Sequence, residues 1–165
     1  MKGNLEQALE NTETVYGDLV SIANEIIEDY TKEVNSLISG AIARAESLTN
    51  DDIRQLILQL VLKSYTFSEV KEKSILKAEC AEALRKEAYA KTFNALDGSN
   101  AVRENTALVE VSDEILTESI YNLVSSLLKT KLDELHRVVD ALKTILMSRM
   151  QEAKLSAGLE GKVFE

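Results

Sequence analysis

Apolar residues recur along this chain at helical spacing over most of its length. In Ser112 to Met150, Leu116, Ile120, Leu123 and Leu127 lie 4, 3 and 4 apart. Leu128, Leu132, Leu135, Val139, Leu142 and Leu146 then follow at 4, 3, 4, 3 and 4. These are the a and d spacings of a seam that asks for partner helices, and they predict one long helix over 112–156. At the other end, Leu5, Ala8, Thr12, Val15, Leu19, Ile22 and Ile26 keep a 3, 4 repeat. Its phase then shifts to Tyr30, Val34, Leu37 and Ala41, a stutter within a first helix over 4–48. Gly17 and Gly40 each cost such a helix about 1 kcal/mol relative to Ala. Gly40 sits in the small run Ser39-Gly40-Ala41-Ile42-Ala43, which reads as close helix packing or, alternatively, a bend.

Punctuation separates the periodic stretches. In Ser47-Leu48-Thr49-Asn50-Asp51-Asp52, Thr49 or Asn50 can cap a second helix, with both aspartates where the helix dipole favours negative charge. That helix is predicted over 51–96. It begins with Ile53, Leu56, Ile57, Leu60, Val61, Tyr65, Phe67 and Val70, then turns alanine-rich and charged, with Ala78, Cys80, Ala83 and Ala88 among its apolar positions. The weak helix formers Thr66-Phe67-Ser68 can kink it. Asp97-Gly98-Ser99-Asn100 is the clearest turn: Gly98 can take positive φ, and Ser99 or Asn100 can cap a short helix over 101–110. That helix either runs into the last one or breaks at Val111-Ser112, where Ser112-Asp113-Glu114 is a second cap signal. Ser156-Ala157-Gly158 is expected to close the last helix, leaving 157–165 as a flexible tail.

The pattern therefore predicts an all-α chain with a single helical domain over 1–156. Its long antiparallel helices form a three-helix bundle or coiled coil. Helices of that length span about 65 Å at 1.5 Å per residue. So thin a bundle covers its apolar stripes incompletely, which predicts completion by homo-oligomerisation.

Composition sharpens this picture. The chain has 165 residues, no Pro and no Trp, so no strong helix breaker interrupts it. The net charge is −9, and residues 1–60 carry most of it, with 4 Lys or Arg against 11 Asp or Glu. Such a surface repels nucleic-acid backbones and anionic membranes and attracts basic surfaces. Cys80 is the only cysteine and His136 the only histidine. Disulfides within the chain and Cys/His metal sites are excluded, and a reducing compartment fits. The N-terminus has no apolar signal segment, and no run approaches a membrane span, so a cytoplasmic protein is expected.

Two candidate surfaces remain. Glu25, Glu28, Asp29 and Glu33 can present an acidic face of the first helix to a basic partner. Lys71, Lys73, Lys77, Arg85, Lys86, Lys91 and Arg103 form the one basic stripe of an acidic chain, with Tyr65, Tyr89 and Phe93 as bases' stacking partners. That combination suits single-stranded nucleic acid. Glu82, Glu87 and Glu104 stand among these cations and offer them intramolecular partners instead. Cys80 on its alanine-rich face reads as a small buried hydrophobe, and His136 as a surface residue. A di-metal carboxylate bundle needs two Glu-x-x-His motifs, and glycine-rich phosphate loops and G-x-S-x-G are absent. The expectation is a non-enzymatic protein with no cofactor.

Residues 76–155 resemble small all-helical proteins of tailed bacteriophages and prophages. The likeness is carried by Glu87-Ala88-Tyr89-Ala90-Lys91, Gly98-Ser99, Val102-Arg103-Glu104 and the leucine-seamed helix ending in Ser148-Arg149-Met150-Gln151-Glu152. The resemblance implies a setting near replication and recombination functions in the host cytoplasm, without assigning site residues. The resemblance gives no mechanism; the chain itself is read as an oligomeric interaction protein that binds a host or phage protein as inhibitor, adaptor or DNA-metabolism accessory. Direct single-strand binding through the basic stripe and a structural coiled-coil scaffold are the alternatives.

Overall fold

The computed structural model describes residues 2–44 and 47–160. The chain is all-α, with four helices: α1 (Lys2–Ala43), α2 (Asn50–Ala95), α3 (Asn100–Glu110) and α4 (Ser112–Glu160). They pack into two compact units. The first comprises Met1–Asp29 and Glu69–Lys129, the second Tyr30–Ser68 and Thr130–Glu165.

In the second unit large side chains make the core: Val34, Ile53, Leu56, Leu60, Phe67, Leu132, Leu135 and Val139 are all buried. Val34, Phe67 and Leu135 line one small pocket, while Ile53, Leu56, Leu142 and Arg149 line another. Increasing numbers on α2 thus pair with decreasing numbers on α4, and the two run antiparallel. Glu33 pairs with Lys63 at 2.5 Å, while Ala41 and Ile42 line one cavity with Ile53 and Leu56, so α1 runs antiparallel to α2. Thr49 begins α2 with a reciprocal cap. Its hydroxyl accepts from the Asp52 amide at 3.1 Å, while the Asp52 carboxylate accepts from the Thr49 amide at 2.9 Å and its hydroxyl at 2.6 Å. These bonds from Thr49 hold the Asp52 carboxyl below its ordinary pKa.

The first unit is built from smaller residues: Ala23, Ala78, Ala81 and Ala107 are buried with Ile27, Val111, Val124 and Leu128. Ser74 is its buried polar residue, and its hydroxyl donates to the Val70 carbonyl at 2.9 Å. The half-buried Arg85–Glu118 pair joins α2 to α4 at 2.9 Å, and the Lys77 ammonium lies 4.8 Å from the Tyr121 ring centroid. Gly98 has φ +123°, so it supplies the left-handed backbone that lets α2 end and α3 begin. Ser99 is the N-cap of α3, but its side chain makes no capping bond.

Several expectations change in detail. Helix α1 ends at Ala43, five residues before the expected 48, because Arg44, Ser47 and Leu48 form a turn that delivers Thr49 to its cap. Helix α2 passes through Thr66-Phe67-Ser68 unbroken, since Phe67 is a core residue. Helices α3 and α4 do separate at Val111, but Ser112 is the first helical residue of α4 and not its cap. Helix α4 continues past Gly158 to Glu160, so the expected closure at 156–158 does not occur; 161–165 lie outside the described residues. The first α4 seam is displaced: Leu116 is exposed, Ile120, Leu123 and Leu127 are half-buried, and Val124 is fully buried between them. Cys80 is exposed, because Ala78 and Ala81 occupy the buried side of that turn.

Candidate interaction surfaces

The basic stripe lies wholly within the first unit, and most of its charge is already matched. Lys71 reaches Glu72 at 3.1 Å, Lys73 reaches Glu69 at 2.6 Å and Lys86 reaches Glu82 at 2.5 Å. Bonds from the two lysines Lys73 and Lys86 hold the Glu69 and Glu82 carboxyls below the usual range. Arg85 holds Glu118, and Lys77 lies over Tyr121. Of the seven, Lys91 is exposed, and its side chain makes no hydrogen bond or ion pair among the described residues.

Arg103 is committed most fully. Its Nε and Nη2 groups donate to the Phe93 carbonyl at 2.9 and 2.7 Å, and its guanidinium sits 4.1 Å from the Phe93 ring centroid. Phe93 lies in the last turn of α2, where carbonyls lack helical partners and the dipole is negative. Arg103 therefore clasps the end of α2 from α3. Tyr89 stacks on Phe93 with centroids 6.0 Å apart, so the two aromatics face each other and not an open groove. Tyr65 lies in the second unit and is exposed.

The acidic residues are placed differently. Glu25, Glu28 and Asp29 are exposed on α1 in the first unit. Glu33 falls in the second unit and is engaged by Lys63. The side chains of Glu25 and Asp29, four residues apart on one helical face, make no hydrogen bond or ion pair among the described residues.

Apolar surface is also open. On α1 every residue from Leu9 to Asp18 is exposed, and Val15, Tyr16, Ile22 and Ile26 have more than a third of their surface in solvent. In the second unit a cavity of about 180 Å³ is bounded by Ile38, Ile42, Ile53, Leu142 and Ile145, with Arg149 at its edge. There Arg149 donates to the Leu48 carbonyl at 2.6 Å and ties α4 to the turn after α1. His136 is exposed. Among the described residues no three His, Cys, Asp or Glu side chains converge as metal ligands, and no helix is long and apolar enough to cross a membrane.

Sequence reasoning missed the two arginine clasps. Each joins residues far apart in the chain, 10 for Arg103–Phe93 and 101 for Arg149–Leu48, so no local spacing marks them. Comparison with family models, curated proteins and solved structures returns no match to this chain.

Proposed function

We propose that this chain is a non-enzymatic, homo-oligomeric interaction protein that receives a basic partner protein on the acidic part of α1. The observation that carries this reading is a contrast in charge. Glu25 and Asp29 stand exposed without intramolecular cations, whereas six of the seven stripe cations are spent on carboxylates, a carbonyl or a ring. A phosphate backbone would have to displace those partners, and a basic protein meeting Glu25 and Asp29 would not. The resemblance to phage helical proteins suggests the setting: the host cytoplasm, with a host or phage protein as target.

The test is capture from host lysate, with and without nuclease, using the intact protein and Glu28→Lys/Asp29→Lys. Capture of one protein that survives nuclease, weakens with salt and is lost in the double variant supports the proposal. Capture unchanged in the double variant refutes it. Capture that vanishes with nuclease and weakens on Lys91→Ala would instead establish binding through the basic stripe.

A further inference from the structure

We propose that α1 of the first unit receives a basic amphipathic helix of a partner protein. Its apolar face would lie on Val15, Leu19, Ile22 and Ile26, and its cations against Asp18, Glu25 and Asp29. This rests on the basic-partner reading above and names the form of the partner. Helix α1 has two adjoining apolar edges. Ala23 and Ile27 form the edge buried within the unit. Val15, Leu19, Ile22 and Ile26, spaced 4, 3 and 4, form the other. Leu19 is half-buried, and Val15, Ile22 and Ile26 are 51%, 42% and 37% exposed. The strip runs about 16 Å along the helix axis at 1.5 Å per residue. At its N-terminal end Asn11, Thr12, Val15, Tyr16 and Leu19 bound an open depression of about 410 Å³, which gives a partner's apolar side chains room to enter.

Charge selects the occupant. Carboxylates follow the strip on the side away from Ala23. Asp18 stands three residues after Val15 and four before Ile22, Glu25 three after Ile22, and Asp29 three after Ile26. Residues three or four apart are neighbours on a helix, so each exposed apolar side chain has a carboxylate beside it. The side chains of Asp18, Glu25 and Asp29 make no hydrogen bond or ion pair among the described residues. Residues 9–29 hold six Asp or Glu and no Lys or Arg. Such a margin repels anionic lipid and nucleic-acid backbones, and a second copy would bring the same carboxylates to it. A cationic segment is attracted.

Spacing selects a helix. The 4, 3, 4 strip matches the i, i+3, i+4 and i+7 anchors of an amphipathic helix, whereas an extended peptide needs a sheet edge that this all-α chain does not offer. Asp18, Glu25 and Asp29 lie 7 and 4 residues apart, so a parallel partner meets them with cations at the same spacing and an antiparallel one with the reverse. The N-terminal end of the strip also needs support. Asn11-Thr12-Glu13-Thr14-Val15-Tyr16-Gly17 is a run of mostly poor helix formers, yet it is helical with every residue exposed. Helices hold in water mainly by burying an apolar face, and the docked helix gives this one a partner.

The experiment uses the full chain and two labelled peptides about five helical turns long, followed by fluorescence anisotropy. One is a Leu/Lys peptide with Leu at 3, 4 spacing and Lys along both margins; the other has every Leu replaced by Gln at the same charge. The Leu/Lys peptide should bind more tightly than the Gln peptide, and its affinity should fall with salt. Val15→Gln/Ile22→Gln and Glu25→Lys/Asp29→Lys should each weaken it by more than about tenfold, with helical circular dichroism retained. Equal binding of the two peptides, lost in Glu25→Lys/Asp29→Lys and unchanged in Val15→Gln/Ile22→Gln, overturns this inference and leaves the basic-partner reading standing. No binding of either peptide at low salt, or binding unchanged in Glu25→Lys/Asp29→Lys, overturns both. Light scattering should give the same mass for the unaltered chain and Val15→Gln/Ile22→Gln. A mass that falls in that variant would assign the strip to a second copy and overturn this inference.

Discussion

The two units use the same long helices but fill their interiors differently. The second packs Ile53, Leu56, Leu60, Phe67, Leu132 and Leu135, whereas the first brings Ala78, Ala81 and Ala107 to the equivalent role and adds the hydroxyl of Ser74. Along α2, Ile53, Leu60, Phe67, Ser74 and Ala81 recur at seven-residue intervals, and their volume falls where the chain passes from the second unit to the first. Large residues gain stability from the apolar area they remove from water. Small residues bury less and let backbones approach, and the first unit adds directed contacts to them: Arg85 with Glu118, Lys77 on Tyr121, and the Arg103 clasp. One helix can thus serve a greasy interior in one half and a close-packed, polar-braced one in the other.

The largest expected effect is in the second unit. Phe67→Ala should lower stability by about 4 kcal/mol, read by denaturant unfolding, with amide exchange accelerated over 53–60. A loss below about 1 kcal/mol would mean that the large core is not what holds that unit. The first unit gives the complementary test. Ala107→Leu should destabilise by about 2 kcal/mol if the alanines mark close approach. A neutral or stabilising result would show a loose interior and remove the contrast. Arg103→Met should cost about 2 kcal/mol locally, since the Phe93 carbonyl loses two charge-assisted bonds. Faster exchange confined to the last turn of α2 and to α3 is the expected signature.

Smaller effects belong to the α2 cap. Thr49→Ala should cost about 1 kcal/mol. The pH dependence follows from Asp52, whose carboxyl pKa is lowered in the folded chain. Its contribution is complete above the unfolded aspartate value and is lost as pH falls through the lowered folded value. Protection of the amides near Ile53 should therefore fall in that acid window, and Thr49→Ala should shrink the step without removing it, because the backbone amide at position 49 still donates to the carboxylate.

Much of this fold was legible because its signals are local. The 3, 4 seam of Leu128 to Val139, the Thr49–Asp52 cap signal and the Gly98 turn each need only a few neighbouring residues. The errors came where burial depends on which partners arrive. Leu116 and Val124 both fit an apolar face, and tertiary packing chose Val124. Cys80 fits an alanine-rich stripe, yet the buried side of its turn belongs to Ala78 and Ala81. The acidic positions lie exposed, and Glu33 is claimed by Lys63, thirty residues on, which no helical spacing announces. In the basic stripe the local partner Glu82 was legible beside Lys86, but the Arg85–Glu118 pair, made across 33 residues, was not.

The discontinuity of the second unit bears on how the protein is made. Its α1 and α2 segments, 30–68, leave the ribosome about sixty residues before Thr130, the start of the stretch that completes its core. Until Leu132, Leu135 and Val139 emerge, Ile53, Leu60 and Phe67 lack their α4 partners. A nascent chain stalled near residue 120 should therefore engage chaperones that bind exposed aliphatic segments, and release them once α4 has been synthesised.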